Sequence, residues 1–104
     1  MQGALEASAR VRFIDDTQGC FTTLEVETND RSGLLLTICR TLFAAHVQIV
    51  GSHLKVQQGR VRARFELLEL DDQPIESDRR QEIQLAILSA LDEMSRPTAE
   101  YATG

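Results

Sequence analysis

With 104 residues, the chain is long enough for one domain with one core and too short for a catalytic domain joined to a regulatory one. Its net charge of -5, with four Phe, one Tyr and no Trp, disfavours nucleic acid as a partner, because such binding usually needs a basic face and aromatic stacking surfaces. No apolar run approaches the roughly 20 residues of a membrane span, and the start MQGALEASAR lacks the apolar segment of a signal peptide, so we expect a cytoplasmic protein with no membrane partner.

The two ends of the chain differ from its centre in composition. Residues 1–10 and 95–104 are small or polar and show no sustained hydrophobic period. We therefore predict flexible tails at 1–10 and 95–104 around one domain at 11–94.

The first two elements are predicted to be strands. Residues 10–14 alternate between basic and apolar side chains, and the DDTQG segment that follows carries turn-forming residues. Residues 22–28 alternate again, with a strand end expected at Asn29. This pattern predicts a hairpin.

A helix with one broad buried face is predicted from Ser32 to Ala45. Its buried stripe is expected at Leu35, Ile38, Cys39 and Leu42, widened by Leu34 and Phe43.

A second hairpin and a second helix complete the predicted order of strand, strand, helix, strand, strand, helix. The third strand is expected to turn Val50, Ser52, Leu54 and Val56 to one face, and residues 61–67 alternate in the same way. After DDQPIESD, Ser77 or Asp78 can cap a helix with apolar residues at Ile83, Ile87, Leu91 and Met94.

Each predicted strand is apolar on one face only, so both helices should cover the same side of one sheet, in a two-layer α+β sandwich. The right-handed crossover through the first helix leads us to expect the Glu25 strand parallel to, and beside, the Arg62 strand. The face left to water would be a solvated charge ladder, with pairs of about 0.2–1 kcal/mol. Its members would be Arg10, Arg12, Glu25, Glu27, His53, Lys55, Arg62 and Arg64.

The segments TLEVE, NDRSGLL, TICRTLFAAHV and IVGSHLKV together resemble an ACT domain, a small ligand-binding module found in many amino-acid-regulated proteins. The flanking VRFIDD and FELLELDDQPI are most similar to the C-terminal ACT repeats of bifunctional PII uridylyltransferase/uridylyl-removing enzymes, which sense glutamine. The resemblance covers about residues 11–93. Two departures are Ser32, where the family often has proline, and Ala63, where an aspartate is common in the glutamine-sensing branch.

The resemblance implies a ferredoxin-like fold, a four-stranded antiparallel sheet with two helices on one face. An ACT domain normally runs βαββαβ, but SRPTAEYATG after the last helix is polar and broken by proline. We expect VRFID to take the place of the missing strand, which gives the permuted order ββαββα.

The polar turn before the first helix is the candidate ligand site. A helix start presents unpaired N–H groups to a carboxylate, Gly33 allows close approach, and Arg31 can bind a carboxylate bidentately. Asn29 or Asp30 could receive an amino group; alternatively, either caps the helix while Arg31 lies in solvent. In ACT domains the ligand commonly lies between this turn and the strand that follows the first helix of a partner. The resemblance therefore implies a site formed by Asn29, Asp30, Arg31, Ser32, Gly33, Leu34, Val50, Gly51 and Ser52.

The sequence offers no set of catalytic or metal-ligating residues. His46 and His53 lack the i, i+4 spacing of helical metal ligands, and His53 is read more simply as a surface residue. We therefore expect no enzyme activity, no cofactor and no metal, but a regulatory module that binds a small amino acid, glutamine being one candidate. The alternative is an ACT-like module that only forms a homodimer, or pairs with another domain, without a ligand.

Overall fold

A computed structural model describes residues 9–14 and 21–95. Most of the predicted tails at 1–10 and 95–104, and the DDTQG turn, lie outside the described residues. The elements are β1 (Arg10–Ile14), β2 (Thr22–Asn29), α1 (Leu34–Ala44), β3 (Val47–Gln57), β4 (Arg60–Glu69) and α2 (Ser77–Ser95). Within the described residues, the permuted order ββαββα is thus confirmed.

The four strands form one sheet in the order β1-β2-β4-β3, and every neighbouring pair is antiparallel. β1 pairs along β2, from Arg10 opposite Glu27 to Ile14 opposite Thr23. The predicted edge strand is therefore confirmed, and with it the α+β, ferredoxin-like sandwich.

The predicted parallel pairing of the Glu25 and Arg62 strands is wrong, although β2 and β4 are neighbours. The crossover rule applies to the two strands that the helix joins, β2 and β3, and these do run in the same direction. A tight turn then reverses the chain, because Gln58 and Gly59 both have positive φ, at 53° and 78°. β4 consequently inserts antiparallel between β2 and β3.

Apolar side chains from the sheet and both helices form one core. The sheet contributes mainly Leu24, Val26, Val61, Ala63, Phe65 and Leu67, and the helices contribute Leu34, Ile38, Leu42, Ile83, Ile87 and Leu91. Neither helix of the described part is long and apolar enough to cross a membrane.

The buried stripe of α1 is shifted by one position from the prediction at its start. Leu34 is buried, whereas Leu35 is 46% exposed and Phe43 is 82% exposed. Leu34 and Leu35 each fit a helical stripe with the later apolar residues, so the spacing did not determine which of the two leucines faces the core. The inner row is Leu34, Ile38 and Leu42, at steps of four.

β3 is longer than α1, the helix that precedes it in the chain. Eleven helical residues in α1 span roughly 16 Å, and eleven extended residues in β3 span roughly 36 Å. The register shifts at Val50, after which Ser52, Leu54 and Val56 pair with core residues of β4. Leu54 nevertheless remains 53% exposed, because the short helix leaves this end of the sheet uncovered.

Candidate ligand site at the start of helix α1

A cavity of about 290 Å³ lies where the turn after β2 enters α1. It is lined by Asp30, Arg31, Gly33, Leu34, Leu35, Leu36, Leu54 and Val61. The structure thus brings together four of the nine predicted residues, with an apolar wall from β3 and β4 that the sequence analysis missed. The sequence feature that could have predicted this wall is the difference in length between the helix α1 and the strand β3.

The backbone of the turn is fixed by two hydrogen bonds and by the conformation of Gly33. The Asp30 N–H donates to the Gly59 carbonyl at 2.8 Å, and the Leu34 N–H donates to the Arg31 carbonyl at 3.2 Å. Gly33 occupies the cap position in the left-handed region, with φ 80° and ψ 3°. α1 therefore begins at Leu34, later than the predicted Ser32.

No side chain caps the first turn of α1, so the capping alternative for Asn29 and Asp30 is wrong. The first turn also carries no acidic residue. A helix start without a side-chain cap keeps N–H groups and positive dipole charge for an external acceptor, worth about 0.3–1 kcal/mol to an anion at an exposed position.

Asn29 and Ser32 stand outside the lining of this cavity. The Asn29 side-chain oxygen accepts a hydrogen bond from Arg60 at 3.1 Å, which links the end of β2 to the start of β4. Ser32 lies exposed in the turn.

Arg31 does not lie free in solvent. Its Nη1 donates to the main-chain carbonyl of Met94 at 2.6 Å, in the last turn of α2. The side chain is half-buried and also lines the cavity. Arg31 thus joins the predicted ligand turn to the far end of the other helix.

The β3 part of the predicted site lies away from this cavity in the single chain. Val50 occupies the register shift, and Ser52 is exposed opposite Phe65. Gly51 pairs with Glu66, and a Cβ atom at Gly51 would approach the Glu66 carboxylate, the far end of a flexible side chain. Within one chain, these residues and the turn therefore do not line a common cavity.

A larger cavity, of about 680 Å³, lies at the opposite end of the sheet around Glu69 and Arg79. Arg79 donates to both carboxylate oxygens of Glu69 at 2.9 and 3.0 Å, and to the Ala45 carbonyl at 2.6 Å. Because these bonds tie Arg79 to β4 and to the end of α1, the arginine stabilises the fold, and we do not assign it a ligand.

The open face of the sheet carries the predicted charge ladder. Glu25 is buried between two arginines, accepting from Arg12 at 2.8 Å and from Arg64 at 3.0 Å. Burial acts to raise the pKa of Glu25, but the hydrogen bonds and positive charges of Arg12 and Arg64 outweigh burial, so this pKa lies below its ordinary value. His53 lies exposed on the same face, opposite Arg64.

Over 101 residues, the chain is 31% identical to the bifunctional uridylyltransferase/uridylyl-removing enzyme of Erythrobacter litoralis (strain HTCC2594). The matched region covers 96% of this chain and 11% of that enzyme. This chain is therefore related to a segment of that enzyme and spans about a tenth of its length. No protein-family model matches the chain, and no solved structure matches it.

Proposed function

We propose that the chain is a non-catalytic regulatory module of the ACT type that binds a small amino acid, with L-glutamine as the first candidate. In this proposal its occupancy controls an attached or associated enzyme of nitrogen or amino-acid metabolism. The similarity to a segment of a uridylyltransferase/uridylyl-removing enzyme supports the metabolic assignment.

The observation that carries the ligand proposal is the cavity at the uncapped start of α1. Its volume of about 290 Å³ is at the small end of the range for ligand pockets. A ligand carboxylate would accept from the N–H groups of Leu35 and Leu36 in the first turn and from Arg31. The carboxylate of Asp30 would accept from the ligand's amino group. Leu54 and Val61 would contact the aliphatic part.

Occupancy can regulate only when the ligand binds one arrangement of the protein better than another. A second copy would supply that difference if its Val50, Gly51 and Ser52 closed the exposed side of the cavity. The full set of predicted site residues would then be used, with the turn from one chain and β3 from the other.

The second candidate function is a homodimerisation or docking module without a ligand. It is favoured by the exposed apolar surface on α1 and β3, where Phe43 is 82% exposed. Such surface on a small domain often marks an interaction site.

A thermal-shift screen of the proteinogenic amino acids separates the two functions. A ligand at 100 times its Kd should raise the free energy of unfolding by about 2.7 kcal/mol. We expect L-glutamine or another small amino acid to stabilise the wild type, Asp30→Ala to lose most of this effect, and Glu76→Ala to keep it. Glu76 is the matched control because it is exposed and lines the opposite cavity. No stabilisation by any amino acid would contradict the ligand proposal and favour the second candidate.

A further inference from the structure

Arg31 spans two regions that are far apart in sequence. It lines the cavity at the start of α1, and its Nη1 reaches the carbonyl of Met94, which lies 63 positions later in the chain, at 2.6 Å. An arginine that contacts a ligand cavity and a helix end at once can couple them.

The last turn of α2 receives a positively charged donor through this contact. The carbonyl groups at a helix C-terminus lack intrahelical partners and carry negative dipole charge, which a cation stabilises. The described residues of this last turn include no basic side chain. Arg31 supplies a positive charge from another element.

The guanidinium group has donors for two partners. Its planar fork carries five N–H groups, and a carboxylate binds bidentately to two that lie parallel. With Nη1 on the Met94 carbonyl, Nε and Nη2 form the other edge of the fork.

We propose that Arg31 is a positioning residue that binds the ligand carboxylate through this second edge while keeping Nη1 on Met94, so that ligand binding stabilises the last turn of α2. This inference rests on the proposed function. A carboxylate that fixes the guanidinium group lowers the entropic cost of the hydrogen bond between Arg31 and the Met94 carbonyl. By linkage, an ordered last turn of α2 strengthens ligand binding by the same free energy.

Amide hydrogen exchange in the last turn of α2, residues 92–95, tests the inference in the full chain. We expect L-glutamine to slow exchange there about tenfold, equivalent to about 1.4 kcal/mol. L-Glutaminamide, which lacks the carboxylate, should leave exchange unchanged. Calorimetry on the same samples measures binding independently.

Substitution of Arg31 separates charge from geometry. Arg31→Lys keeps the positive charge but presents one nitrogen, so it should retain weakened glutamine binding and lose the slowing of exchange. Arg40→Lys, on an exposed position of α1, should behave like the wild type in both measurements.

The outcomes distinguish this inference from the proposed function. Glutamine binding with unchanged or faster exchange at residues 92–95 would overturn the coupling and leave the ligand site standing. Slowing that persists in Arg31→Lys would also overturn it. An absence of glutamine binding in calorimetry would remove both the glutamine site and the coupling that depends on it.

Discussion

Gly33 shows how one backbone angle sets the geometry of the candidate site. Its φ of 80° lies in the left-handed region, and a Cβ added there would meet no atom within 4 Å. The cost of a side chain at this position is therefore backbone strain, about 1–2 kcal/mol for an ordinary residue. We predict that Gly33→Ala lowers the free energy of unfolding by about 1 kcal/mol and that Gly33→Asn lowers it less, measured by urea denaturation.

Gly51 provides the matched control, because its φ is not positive. A Cβ at Gly51 would approach the Glu66 carboxylate, which is the far end of a flexible side chain and can move aside. Gly51→Ala should therefore lower the free energy of unfolding less than Gly33→Ala does. Equal stability of Gly33→Ala and the wild type would contradict the strained backbone.

The sequence indicated that Gly33 matters, but for a different reason. It predicted close approach to a ligand, whereas the described structure also gives a conformational requirement. Conformation depends on how the turn is held, here by the Asp30 N–H on the Gly59 carbonyl. That partner lies in a hairpin far along the chain, so local pattern could not predict it.

At the scale of the elements, Glu25 links three strands. It accepts from Arg12 on β1 and from Arg64 on β4, and its pKa is lowered in the folded protein. A lowered folded pKa contributes stability that is fully present above the unfolded value of about 4.5 and is lost as the pH falls through the lower, folded value. We predict that Glu25→Gln costs about 1–2 kcal/mol at neutral pH, because buried hydrogen bonds to charged partners are lost.

The free energy of unfolding, measured against pH, checks this prediction. The difference between the wild type and Glu25→Gln should shrink as the pH falls below 4.5. Glu27→Gln is the control, since Glu27 is more exposed and lies 3.6 Å from its partner Arg62, so its cost should be well under 1 kcal/mol. A constant difference across the whole pH range would contradict the assigned role of the Glu25 charge.

The alternation of β1, β2 and β4 could be predicted well because it has a fixed period of two and each of these strands has a buried face. In β3 the register shift at Val50 breaks the predicted alternation of Val50 with Ser52, Leu54 and Val56.

The phase of α1 could not be predicted, since adjacent leucines at 34 and 35 fit two helical stripes and only packing on the sheet selects Leu34. The direction of β4 relative to β2 could not be predicted either. It follows from the tight turn at Gln58 and Gly59 and from the position of β4 between β2 and β3. The hydrophobic pattern of a single strand contains neither feature.

For the molecule as a whole, the decisive feature is the sheet edge formed by β3, which no other element of the described residues covers. β3 is an eleven-residue edge strand, and its far half, around Leu54, lies near the start of α1 and is exposed. Lys55 is its only charged residue. One charged side chain gives little protection against pairing of the edge N–H and C=O groups with a strand of another chain. The exposed apolar side chains around this edge are Leu35, Leu36 and Phe43 on α1 and Ile49, Val50, Leu54 and Val56 on β3.

This uncovered edge predicts self-association as a two-fold dimer through α1 and β3. A two-fold axis would bring the turn of each copy toward β3 of the other, so one dimer interface would generate two equivalent ligand sites.

Substitution of Phe43 tests this interface. Because Phe43 is 82% exposed in the single chain, Phe43→Glu should fold normally. It should weaken the dimer about tenfold in Kd, which corresponds to the loss of an aromatic contact of about 1.4 kcal/mol. Leu85→Glu, at a position 67% exposed on α2, makes a similar change outside the interface and should leave association unchanged. Sedimentation velocity at several concentrations measures both variants. A wild type that stays monomeric at the highest concentration, with and without L-glutamine, would contradict the interface; equal weakening by the two variants would place the contact elsewhere on the surface.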